Sequence, residues 1–310
     1  MTSHDGHTPK SRIALGFAAV YLLWGSTYLG IRFAVASLPP LFMAGTRHII
    51  AGLLLYILMR RLGAPRPTLQ HWKSATLLGV LLLLGGNGLV SMAEQTVPSG
   101  IAALIVAAVP FWMVLLNAAE QRTAPRPYVL LGLVLGVLGL AILVLPAGGI
   151  APDHVNPAGV AMLLAATVSW AVGSLYAHRA PLPSSTFLGI AMEMLMGGAA
   201  LWLASFLSGE GSSLHLAAVT AKSWLALGYL VIFGSLLGFS AYVWLLKVTT
   251  PARASTYAFV NPVIAVFLGW ALAGEAVTPR VALAGGIIVA AVCLILYFGT
   301  ARKPAGSQET

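Results

Sequence analysis

Charge is what this 310-residue sequence has least of: charged residues make up 8 % of it, against roughly 25 % in an ordinary soluble domain. Hydrophobic residues make up 59 %, more apolar surface than a soluble core of this length could take up. Cysteine is almost missing as well. The single Cys293 lies in an apolar run, which excludes an intrachain disulfide and a cysteine-only metal site and gives it the part of a small hydrophobe. The sequence also lacks a Walker A phosphate loop, a His-Glu-x-x-His pair and a Gly-x-Ser-x-Gly turn, so it does not read as an ATP-driven pump, a zinc protease or a serine hydrolase. Its seven histidines are scattered, and His4 and His7 fall in a short polar tail. No enzyme activity, no cofactor and no metal site is expected. Strictly alternating segments of about ten residues, the mark of a membrane β-barrel, are absent; stretches such as 77–84 and 130–145 are apolar without interruption.

What is present is a series of apolar segments long enough to cross a bilayer core, which takes about 20 residues as a helix. They run over about 13–32, 39–60, 72–92, 98–117, 128–146, 157–177, 184–207, 223–246, 252–272 and 280–298. The predicted fold class is therefore all-α, a polytopic membrane protein of ten transmembrane helices. Lys10 and Arg12 precede the first segment, but that segment is long enough to span and has no clear small-residue cleavage signal, so it reads as a retained helix and not a signal peptide.

The net charge of +9 comes from 17 Lys and Arg against 8 Asp and Glu. Its placement speaks for topology and against nucleic-acid binding. Thirteen positives fall on one side of the segments: Lys10 and Arg12, then four between Arg60 and Lys73, then Arg122 and Arg126, Arg179, Lys247 and Arg253, and Arg302 and Lys303. Arg32, Lys222 and Arg280 fall on the other, and Arg47 lies inside a helix. The positive-inside rule then puts both termini in the cytoplasm and favours an even number of spans.

The two halves, 13–146 and 157–298, resemble each other across a Gly, Pro, Asp and Asn-rich break. Trp24, Gly25 and Tyr28 match Trp170, Gly173 and Tyr176; Pro98 matches Pro251, and Gly132 matches Gly285. Five helices per copy is an odd number, so the second copy enters the membrane from the opposite face, the inverted repeat of many alternating-access transporters.

Polar and aromatic residues inside such spans are candidates for a solute pathway. Asn87, Ser91 and Glu94 lie three to four residues apart on one face of the third helix; lining a pathway and bonding between helices both fit them. Trp24 with Tyr28, and Tyr257 with Asn261, form one-turn pairs of the kind that suits an organic, amphipathic solute. Trp170 is the counterpart of Trp24. Tryptophan and tyrosine also collect at membrane interfaces, which fits Trp72 and Trp224. Pro98, Pro110, Pro251 and Pro262 serve as gating bends or as permanent kinks. The spacings Gly132 to Gly136 and Gly234 to Gly238 allow close helix approach, within one chain or in a homodimer. Arg47 and Glu193 lie deepest, each about 12 to 14 Å into its span. Their separation of 146 residues equals that of Trp24 and Trp170. They read as a functional pair, as two ends of one polar network or as a static ion pair, with Glu193 the carboxylate most able to respond to protons.

The strings Trp24-Gly25-Ser26-Thr27-Tyr28, Pro39-Pro40 with Ala44-Gly45-Thr46-Arg47, Gly86-Asn87-Gly88 through Glu94 to Pro98-Ser99-Gly100-Ile101-Ala102-Ala103, and Ser255 to Val263 with Gly274-Glu275 resemble the EamA family of the drug/metabolite transporter superfamily. The likeness covers almost the whole chain. It implies a ten-helix bacterial inner-membrane carrier with cytoplasmic termini and a central cavity, exporting an amino acid, another metabolite or a drug as a secondary transporter. The partners implied are a small organic solute, membrane lipid and protons as a candidate coupling ion, with no nucleic acid. One departure stands out: Glu120 follows Pro110 by ten residues, whereas Glu275 follows Pro262 by thirteen, so the two carboxylates are not equated. A channel or facilitator, and a membrane receptor or scaffold, are the alternatives; the absence of a repeated selectivity motif counts against the channel.

Overall fold

A computed structural model describes residues 9–122, 124, 127–144, 156–177, 179–248 and 257–299. The helices are α1 (Lys10–Ala34), α2 (Pro40–Arg61), α3 (Leu69–Ala93), α4 (Ser99–Glu120), α5 (Pro127–Val144), α6 (Pro157–Ala177), α7 (Thr186–Leu207), α8 (Ala221–Tyr229, Leu230–Leu237 and Gly238–Val248), α9 (Tyr257–Ala273) and α10 (Pro279–Gly299). By length and composition seven are able to cross a membrane, and three shorter apolar helices accompany them. Many are apolar on every side. Leu53, Leu54, Phe206 and Phe267 stand exposed, as expected of helices whose outer surface meets hydrocarbon and not water.

Local chemistry sets the ends. Pro40 opens α2 and Pro98 precedes α4, places where a missing N–H leaves no helical bond unmade. Thr68 caps α3 by accepting from the His71 amide, and Thr220 caps α8 by accepting from the Ser223 amide. Gly63, Gly209 and Gly274 turn the chain with φ of 84°, 80° and 67°, a backbone region that glycine enters without strain. Pro110 sits in the first turn of the second part of α4, which breaks at Ala107 and Ala108. Pro262 lies inside α9. Pro251, Ser255 and Thr256 lie outside the described residues.

Two features were not foreseen. Gly79–Gly88 in the middle of α3 and Leu230–Leu237 in the middle of α8 are wound as π-helix. Such wide turns are rare and are often found at functional sites. The helices also pair mainly across the halves: α2 along α7, α5 along α10, α1 on α8 and α9, and α6 on α3 and α4. Glycines make these approaches possible. A Cβ on Gly52 would lie 3.0 Å from the Ala191 carbonyl oxygen, and one on Gly132 would lie 3.0 Å from that of Ala291. Gly136 faces the Phe111 ring, Gly234 faces Thr27 and Gly238 faces Trp24. The glycine spacings seen in the sequence are thus used within the chain.

Candidate functional site

Each π-helical stretch is covered by a residue from the first helix of the other half. Trp24 of α1 lies on Gly238, where an added Cβ would fall 2.5 Å from the indole Nε1, and Nε1 donates to the Gly234 carbonyl at 3.2 Å. Trp170 of α6 lies on Gly86, where an added Cβ would fall 2.7 Å from its ring. Beside it Ser169 Oγ donates to the Leu81 carbonyl at 2.7 Å. Both accepting carbonyls belong to π turns.

Around Trp24 the aromatic candidates meet. Its ring packs edge-on against Tyr257, with centroids 4.9 Å apart at 87°, and lies 5.1 Å from Tyr242; Tyr242 and Tyr257 meet at 5.6 Å and 88°. The two contacts of Tyr257 are edge-to-face, which suits the aromatic quadrupole, while Trp24 and Tyr242 are tilted at 41°. Asn261 comes to the same interface, its carbonyl 3.4 Å from where a Cβ on Gly25 would stand, and its Oδ1 is buried without a hydrogen-bond partner.

The second group is ionisable. Arg47 is 4 % exposed, and its Nε donates to Ser235 Oγ in the π stretch of α8 at 2.8 Å. His48 beside it is fully buried with neither ring nitrogen partnered. Glu94, which immediately follows the α3 span, is 0 % exposed, and neither carboxylate oxygen has a hydrogen-bond partner. Arg32 Nη1 donates to the Glu94 backbone carbonyl at 2.5 Å. Burial pushes the Glu94 carboxyl well above the usual carboxylate range and the charge of Glu275 adds to this, while Arg32 and Arg47 oppose it. Gly234 joins the aromatic and ionisable groups: its carbonyl accepts from Trp24, and a Cβ added there would lie 3.6 Å from Arg47 Nη2.

The other candidates are placed differently. Ser91 is buried and donates to the Asn87 carbonyl at 2.8 Å, so it is satisfied within its own helix. Asn87 is half-buried in the π stretch next to the Trp170 contact. Glu193 is half-buried, on a helix face that lies against Gly79: a Cβ there would meet the Glu193 carbonyl at 2.8 Å and the Gly197 amide at 2.5 Å. Arg47 and Glu193 form no ion pair. The partner of Arg47 is Ser235. The equal spacing in sequence gives the two residues matched neighbours, α8 for Arg47 and α3 for Glu193, and these are different interfaces.

Sequence reasoning passed over Ser235, His48 and Tyr242, and it used Arg32 only as a topology marker. A second ionisable residue beside Arg47 was the available signal for His48. Ser235 and Tyr242 carried none, because their importance comes from which helix lies opposite.

Carboxylates also tie the halves together at the end of the bundle near Glu94. Glu275 accepts from the Ser99 amide and hydroxyl, each at 2.7 Å, and from the Gly100 amide at 3.0 Å. Glu210 accepts from the Leu41 and Phe42 amides at 3.1 and 2.9 Å, and from Ser205 Oγ at 2.7 Å. Both acids therefore sit where helix N-termini attract negative charge. Glu120 behaves differently and makes an exposed salt bridge with Arg179. Its hydrogen bond and charge hold the Arg179 guanidinium above its ordinary range.

Two segments, 11–145 and 157–297, each match the EamA-like transporter family. The chain belongs to this family. It is 43 % identical over 280 residues to the protein described as the uncharacterized inner membrane transporter YedA of Escherichia coli (strain K12), covering 89 % of this chain and 88 % of that one. It is 27 % identical to the uncharacterized transporter YvbV of Bacillus subtilis (strain 168), covering 96 % and 95 %. It is 25 % identical to a probable amino-acid metabolite efflux pump of Salmonella typhimurium, covering 92 % and 95 %. A chain of known crystal structure shares the fold with a TM-score of 0.61 at 22 % identity, covering 93 % of this chain and 96 % of that one. Family membership makes this EamA chain a multi-pass inner-membrane transporter and not an enzyme.

Proposed function

We propose that this EamA transporter exports a small organic solute by alternating access between two inverted five-helix repeats, the segments 11–145 and 157–297, with both termini in the cytoplasm. The observation that carries the proposal is the meeting of two groups on the π stretch of α8: Trp24, packed on Tyr242 and Tyr257, donates to the Gly234 carbonyl, and the buried Arg47 donates to the next residue, Ser235. Rings offer a face to an amphipathic solute, and buried ionisable groups offer it a charge partner. The two π stretches and their cross-half partners support the inverted-repeat reading, since each is the third helix of its half. Glu193, against the α3 stretch, is then the counterpart of Arg47 in a second polar position of the pathway.

Purified protein in proteoliposomes should show saturable, exchangeable flux for at least one class among amino acids, related metabolites and cationic drugs. Flux that fails to saturate and shows no counterflow would favour a channel. Reporter fusions after residues 68 and 306 should give cytoplasmic signal, and those after 152 and 213 periplasmic signal; the reverse pattern would overturn the orientation.

A further inference from the structure

Among the described residues, Glu94 is the acid with both carboxylate oxygens buried and lacking any hydrogen-bond partner. The charged and titratable groups that face it come from α1, α2 and the turn before α10. On α1, Arg32 is bonded to the Glu94 carbonyl, and Tyr28 lies within range of its charge. On α2, Arg47 is bonded to Ser235, with His48, whose ring nitrogens have no hydrogen-bond partner, beside it. In the turn before α10, Glu275 is committed to Ser99 and Gly100. Helix α6, which packs on the last turn of α3, carries no charged residue.

An ionised carboxylate in this place would keep its charge while making none of the hydrogen bonds that compensate for lost water. A proton removes that charge. If the end of the bundle held by Glu275 and Glu210 opens, water reaches Glu94 and its ionised form becomes the ordinary one. We propose that Glu94 is a proton-binding site whose bound proton holds this end of the bundle closed and whose release accompanies its opening. The proposal rests on the alternating-access reading above and supplies it with a coupling group. The sign follows from which state binds the proton: the closed state gains as pH falls and gives way as pH rises.

The test needs no solute. Spin labels on Ala36→Cys and Val277→Cys, both at exposed positions in turns of this end and one in each half, are placed in a Cys293→Ala background in lipid nanodiscs. Between mildly acidic and mildly alkaline buffer, the ratio of long to short separations should rise by up to roughly tenfold per pH unit for a one-proton linkage. Glu94→Gln should hold the short separation at every pH, and Glu94→Asp should restore the response. An unsubstituted protein whose separations ignore pH overturns the proposal, as does a Glu94→Gln protein that responds like the unsubstituted one. Flux measured on the same proteins separates the two readings: saturable flux with pH-independent separations defeats the proton site alone, whereas pH-dependent separations without flux of any solute class support the site and defeat the transport reading.

Discussion

At the residue scale, Trp24 combines a hydrogen bond into the π stretch of α8 with ring contacts to Tyr242 and Tyr257. An aromatic contact is worth about 0.5–1.5 kcal/mol beyond its buried area. Trp24→Ala and Tyr257→Ala should therefore raise the KM for transported solute by roughly two- to tenfold with a smaller change in membrane abundance. An unchanged KM in both variants would remove the rings from the solute path. Ser235 makes a second residue-scale case. Ser235→Ala strands the buried Arg47 Nε, and losing a hydrogen bond to a charged group costs about 1.5–3 kcal/mol. It should lower the Tm in detergent clearly, while Ser212→Ala, which removes only an exposed bond to the Gly209 carbonyl in the short helix Glu210–Ser213, should lower it far less. Equal Tm values would mean that Arg47 finds another partner. The sequence made single residues conspicuous, since an arginine or a glutamate in an apolar run needs a reason. It did not reveal partners. Arg47 meets Ser235 and the field of Glu94 because α2 lies against α8 and the end of α3, a neighbourhood that no periodicity within one helix encodes.

At the element scale, the apolar helices were legible because each run is ended by proline, glycine or a cluster of charge, and the described helices, seven of them long enough to span, follow those runs to within a few residues. The π stretches were not, because the same Leu and Gly-rich residues serve an α-helix equally well and the wider winding is chosen by what packs against it. At Gly79 that packing is backbone on backbone: a Cβ would fall 2.5 Å from the Gly197 amide nitrogen and 2.8 Å from the Glu193 carbonyl oxygen. Neither atom can swing aside as a side-chain tip can. Gly79→Ala should therefore push α3 and α7 apart and destabilise by about 1–3 kcal/mol, seen as a lower temperature of aggregation in detergent. Gly228→Ala, where an added Cβ would meet nothing within 4 Å beyond its own helix backbone, should be neutral or slightly stabilising through helix propensity. If the two variants melted together, the tight crossing of α3 and α7 would not be holding the fold.

At the scale of the whole molecule, groups that reach from one half to the other fasten the end near Glu94, and the exposed Glu120–Arg179 pair joins the halves at the opposite end. Glu210 and Glu275 of the second half hold the starts of α2 and α4 in the first. Ser37 Oγ donates to Ser223 Oγ at 2.8 Å, Ser223 Oγ donates to the Phe33 carbonyl at 2.8 Å, and Lys222 stands 3.5 Å over the Phe33 ring. A carrier that alternates must break these contacts once in each cycle, because access at this end requires the starts of the helices to part. The carboxylate bonds are charge-assisted, yet every one of these contacts exchanges for water on opening, and that is what allows a reversible closure. A covalent link at the same place would not be reversible. The two hydroxyls are near enough that Ser37→Cys with Ser223→Cys, in a Cys293→Ala background, should close a disulfide with little backbone movement. Oxidation should then stop solute flux and reduction should restore it, while either substitution alone should leave flux insensitive to oxidant. If fully cross-linked protein transported at the rate of its reduced form, this end would not open during transport, and the proton site at Glu94 would lose the motion it is proposed to control.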